Sequence, residues 1–142
     1  MPFYGLFLRN QINGSSVVDF DTDTIKVSLH TSTYTPNQDT DDFFNDATNE
    51  VTGTGYTAGG ITLTSPTVSY DTASDQVRLD AADVSWTTST ITARYAVVYK
   101  STGTSSTSSL ICYFDFGSNQ STTAGTFAIQ WATDGIAYVD VT

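Results

Sequence analysis

The stretch "TITARYAVVYK" (90–100) restricts the fold more than any other part of the chain. Apolar and polar residues alternate from Thr90 to Tyr95, then Ala96, Val97, Val98 and Tyr99 follow without interruption. A two-residue period marks a strand with one buried face, and its loss over four apolar residues marks a strand covered on both sides. A chain with such a segment needs a sheet with neighbours on either edge and cover on both faces. "LICYFDF" (110–116) is the expected partner, across the polar stretch "STGTSSTSS" (101–109), which reads as an exposed hairpin loop.

The same period recurs elsewhere. "TIKVSL" (24–29) sets Ile25, Val27 and Leu29 on one side, and "QVRLDA" (76–81) sets Val77 and Leu79 inward. "ITLTSPTVSY" (61–70) alternates until Pro66, which cannot donate to a ladder and so predicts an edge, bulge or bend. "TFAIQWA" (126–132) and "IAYVDV" (136–141) read as a closing hairpin over "TDG". Ser, Thr and aromatics abound while the strong helix formers are scarce, so the expected fold is all-β. About eight short strands imply a sandwich or jelly-roll-like barrel with at most one or two short helices. The helical candidate is "PNQDTDDFFND" (36–46), where Asp39, Asp41 and Asp42 suit helix capping. At 142 residues the chain (1–142) is expected to be a single domain with one core.

Five Lys and Arg against fifteen Asp and Glu give a net charge of −10, which opposes a direct grip on nucleic acid phosphates or anionic membranes. No apolar run reaches the roughly 18 residues of a membrane span. The first residues carry neither a basic leader nor a small-residue cleavage site, so synthesis in a cytoplasm without a secretory signal is expected.

Candidate chemistry is sparse. "NEVTGTGYTAGGITL" (49–63) holds Gly53, Gly55, Gly59 and Gly60, but the spacing misses a dinucleotide fingerprint by one residue and a strand pattern follows. No G-K-[ST] is present. These glycines are expected to supply tight turns or positive φ, with Tyr56 tacking the loop to the core. Asp19, Asp21 and Asp23 mimic the start of a calcium loop, yet Thr24 and His30 stand where Gly and Glu belong, so a solvated turn is expected and no metal. Cys112 is alone and sits in a strand pattern, and His30 has no triad company, so no catalytic residue, cofactor or enzyme activity is assigned. Trp86 and Trp131 raise a carbohydrate-binding adhesin as one alternative, although their apolar neighbours favour core packing. The segment 1–9 crowds Phe3, Tyr4, Leu6, Phe7 and Leu8, too many large apolar groups for a solvated tail. It is expected to dock, into its own core or as an interface onto a neighbouring subunit.

The blocks "DTIKVSLHTSTYTP", "NEVTGTGYTAGG", "DAADVSW" (80–86), "ITARYAVVY" (91–99) and "DFG" (115–117) resemble a family of small virion structural proteins of tailed bacteriophages, over residues 3 to 135. The resemblance implies a β-rich domain without catalytic residues, cofactor or metal. It further implies a place on the particle, for which an acidic chain suits the outer capsid surface better than the DNA side. The expected function is therefore a capsid decoration (cement) protein whose partner is the major capsid protein, working as a homotrimer. A tail- or baseplate-associated structural domain is the alternative.

Overall fold

The computed structural model describes residues 1–141. The chain runs α1 (Gly5–Asn13), β1 (Ile25–His30), β2 (Ile61–Thr62), β3 (Thr67–Asp71), β4 (Gln76–Asp80), β5 (Val84–Lys100), β6 (Leu110–Ile129) and β7 (Ala137–Asp140). Two antiparallel sheets result, one ordered β2-β1-β5-β6 and one ordered β3-β4-β7. Leu79, Ile136 and Ala137 of the smaller sheet region join residues of β1, β5 and β6 in one buried cluster, so the fold is an all-β, sandwich-like arrangement.

β5 lies between β1 and β6, and Ala96 to Tyr99 are all buried there, as the lost alternation requires. Its first half buries Val84 and Trp86, then slips phase at Thr88, whose φ of 51° marks a bulge before Ser89, Ile91 and Ala93 turn inward. That bulge brings Ser89, Ile91 and Ala93 back to the buried side of the 17-residue strand as the ladder twists. Pro66 falls between β2 and β3, after Ser65 at φ 53°, where the chain leaves one sheet for the other.

The structure departs from the sequence expectations in four places. Among the described residues, seven strands stand where about eight short ones were expected, because "LICYFDF" and "TFAI" belong to one 20-residue strand, β6. "TFAIQWA" and "IAYVDV" are not a hairpin. Phe127 and Ile129 pair with Trp86 and Val84, while Ala137 and Val139 pair with Leu79 and Val77 of β4. Side-by-side burial next to Leu79 outweighs the usual preference for pairing with the sequence neighbour.

No helix forms over 36–46. Its carboxylates close turns instead: Asp41 Oδ2 accepts from the Asn37 amide at 3.0 Å, and Asp46 Oδ2 from the Asp42 amide at 3.1 Å. The Phe44 amide donates to the Ser108 carbonyl, a bond that takes this backbone out of a helical ladder. The helix forms at Gly5–Asn13, stopped by Gly14 at φ 70° in the left-handed region. Lastly, the loop 101–109 is open at its tip, but Ser108 and Ser109 are buried.

Candidate interaction surface

The single histidine and the single cysteine lie inside the fold. His30 ends β1 fully buried, with Nδ1 2.8 Å from the Thr48 carbonyl and Nε2 2.9 Å from the Ser28 hydroxyl. A carbonyl only accepts, so Nδ1 carries the proton and Nε2 accepts from Ser28. Burial holds the imidazole below its ordinary pKa and therefore neutral, although the Thr48 carbonyl and nearby Glu50 oppose the shift. The Ser–His spacing resembles a nucleophile–base pair, but both side chains have zero exposure, so the pair ties β1 to the segment before Glu50. Cys112, in β6, is equally sealed, and burial pushes its thiol up to about 12.

The glycine-rich loop is a built scaffold. The Tyr56 hydroxyl accepts from the Leu29 amide at 3.0 Å and donates to Glu50 Oε1 at 2.6 Å. The same carboxylate oxygen accepts from the Gly59 amide at 2.6 Å, and the Tyr99 hydroxyl donates to the Gly59 carbonyl at 2.8 Å. Tyr56 also stacks on Trp86, with ring centroids 6.0 Å apart. Gly60 needs its missing side chain, because a Cβ there would overlap the Val27 carbonyl and its φ is 71°. Glu50 is the member of this network that the sequence reading did not single out. Its only sequence signal is its place just ahead of the glycines.

Asp19 and Asp23 form a closed turn: Asp23 Oδ2 accepts the Asp19 amide and pairs with Lys100 Nζ, each at 2.8 Å. Among the described residues, no group of three or more carboxylates or other ligating side chains gathers there. Trp86 is in the core, edge-on to Phe127, which removes it as a sugar platform. Trp131 is half-buried. Its indole N–H is spent on the Ala82 carbonyl at 3.0 Å, while the ring lines a groove of about 230 Å³ with Phe114 and Ile129.

The apolar N-terminal residues dock within the chain. Residues 2–4 add backbone to the outer edge of β6: the Tyr4 amide donates to the Ile111 carbonyl and the Tyr113 amide to the Pro2 carbonyl. Tyr4 is fully enclosed, and its hydroxyl donates to Tyr34, which donates to Asp41. Phe7 is buried and stacks on Phe3. Tyr4 and Phe7 thus dock into the chain's own core, the first of the two expected outcomes for this segment. Phe3, Leu6 and Leu8 are half-buried. The physical reason is the unpaired β6 edge, which the N-terminal backbone covers while α1 turns Phe7 inward.

Open apolar surface lies instead on the β3-β4-β7 sheet. Residues directly opposite in an antiparallel pair share a face. The register therefore sets Val68, Leu79 and Ala137 in one row and Tyr70, Val77 and Val139 in the next, with Val141 two residues further on. Leu79 and Ala137 are in the core, but the face runs out past it: Val68 is 43%, Tyr70 53% and Val141 54% exposed. The other face carries Thr67, Ser69, Asp71, Gln76, Arg78, Asp80 and Asp140, with one exposed aromatic, Tyr138, among them, and Arg78 paired to Asp71 at 2.8 Å. Sequence alternation flagged Val77 and Leu79 as inward, but which end of the face stays open depends on where the sheet meets the core.

In comparisons with known proteins, no family model, no curated protein and no solved structure matches this chain.

Proposed function

We propose that the chain is a structural protein of a bacteriophage particle, a decoration (cement) protein bound to the outer surface of the head. The observation that carries this reading is the apolar sheet face left open at Val68, Tyr70 and Val141 on a strongly acidic chain. Large apolar groups gathered on one face suit docking to another protein. Already about half buried, each side chain so covered contributes on the order of 1 kcal/mol, and a symmetric shell would use the same contact many times. The sealed state of His30 and Cys112 fits a role made of surface rather than bond chemistry. The sequence blocks that resemble phage virion proteins support the same reading, with the major capsid protein as partner.

Copy number tests it. Quantitative mass spectrometry of purified particles is expected to give copies comparable to the major capsid protein. A few to a few dozen copies would move the chain to the tail or baseplate, and its absence from particles would end the virion reading. The groove beside Trp131 and Phe114 favours one further reading, a carbohydrate-binding adhesin. Glycan-array binding that Trp131→Ala abolishes would favour that role over the cement role.

A further inference from the structure

We propose that β3 is the seam of a two-fold dimer, pairing antiparallel with β3 of a second copy about an axis through Ser69. The inference deepens the assembly role proposed above and rests on it, since it gives part of the open apolar face an occupant.

β3 is an edge strand, and its residues Thr67 to Tyr70 are exposed. Edge strands are ordinarily guarded by Lys, Pro or a bulge. Pro66 lies just ahead of the strand, but Thr67–Asp71 contains neither Lys nor Pro, and its pairing to β4 runs through five consecutive positions without a shift. The other edges are less suited. The β6 edge is covered by N-terminal backbone only at Ile111 and Tyr113, and its pairing further along is broken by register shifts; β2 has two residues, and β7 is four residues ending on Asp140.

The strand is complementary to itself. About an axis at Ser69, Val68 stands opposite the second copy's Tyr70, and Tyr70 opposite the second copy's Val68, all on the apolar face. Two aromatic–aliphatic pairs form side by side, the favourable kind of cross-strand contact. On the polar face, Ser69 meets Ser69, and each Asp71 meets a Thr67 hydroxyl that can donate to it. No like charges stand opposite one another. Asp71, the one charge on the strand, is already matched by Arg78 at 2.8 Å, so the seam is locally neutral on a chain of net charge −10. Pairing joins the two three-stranded sheets into one of six strands and makes their apolar faces continuous. This symmetry is isologous and closes at two copies, in contrast to the threefold arrangement expected for cement proteins.

The test uses the isolated full chain, so it stands or falls separately from the particle count. Light scattering after size exclusion is expected to give twice the chain mass for the wild type. Ser69→Cys is expected to form an interchain disulfide under mild oxidation, since the axis sets the two positions face to face and buried Cys112 offers no competing thiol. Thr67→Cys, which would face Asp71 of the second copy, is expected not to cross-link. Val68→Lys is expected to give a folded monomer by circular dichroism, whereas Val141→Lys, on the same face but away from the seam, keeps the dimer. A wild-type monomer or trimer would overturn the proposal, as would cross-linking of Ser69→Cys no faster than Thr67→Cys. Loss of the dimer in Val141→Lys would overturn it too, because the copies would then meet by stacked faces.

Discussion

Gly60 and Gly103 share a positive φ, 71° and 85°, yet their surroundings differ completely. A Cβ at Gly60 overlaps the Val27 carbonyl, whereas one at Gly103 meets open space. Gly103→Ala is expected to cost about 1–2 kcal/mol, the left-handed backbone penalty alone. Gly60→Ala adds the clash and is expected to exceed about 3 kcal/mol; urea unfolding of the two variants checks the contrast. His30 provides a second residue-scale prediction. Its folded-state pKa is depressed below 6.5 by burial, so the unfolded chain takes up the proton first on acidification. The stability it supports is fully present above pH 6.5 and falls as pH drops below that value. Melting temperatures of the wild type should therefore decline more steeply between about pH 7 and 5 than those of His30→Asn. Equal slopes would show that the imidazole does not titrate differently on folding.

At the scale of elements, the N-terminal segment behaves as an integral strand-and-helix unit. Tyr4 reaches Tyr34 and Asp41 through a two-step hydroxyl chain and packs on Tyr113 at 5.2 Å. Truncating such an enclosed ring costs about 3–5 kcal/mol. Tyr4→Ala is thus expected to lower the chemical-denaturation midpoint sharply, while Ile12→Ala, 89% exposed on the same helix, changes it little. A Tyr4→Ala variant as stable as the wild type would return the segment to the role of a detachable arm. α1 was missed in the sequence because Leu6, Phe7 and Leu8 run consecutively rather than at helical spacing, in a chain of β-rich composition. The legible signals were Tyr4, Phe7 and Asn10, buried at three-residue spacing, and Asn13-Gly14 as a stop. The misread hairpin at the other end has a different cause. Alternation identifies a strand but not its partner, and β7 takes β4, some sixty residues away in sequence.

For the whole molecule, the dominant physical quantity is a net charge of −10 carried by a small domain. The accessible surface of 7051 Å² is close to the roughly 7,100 Å² of a compact monomer of 15.3 kDa. Charges of one sign therefore crowd a minimal surface. Arg78, Arg94 and Lys100 each pair with an acid, and most of the fifteen acids remain without a cationic neighbour. Salt from about 0.02 to 0.2 M shortens the screening length below the molecular radius, so the melting temperature is expected to rise over that range. A fall would mean that the surface ion pairs outweigh the self-repulsion.

The all-β class, the central place of β5, the bend at Pro66 and the anchoring by Tyr56 were legible in the residues themselves. Each depends on a local property: side-chain period, a missing amide hydrogen, or one aromatic among glycines. Only the tertiary structure decided that Tyr4 and Phe7 face inward, that β7 joins β4, and that the open apolar surface lies at Val68, Tyr70 and Val141. Those outcomes turn on which apolar faces find each other first in space. Burial is a property of pairs of surfaces, so a single segment carries its own apolar face but not the identity of what covers it.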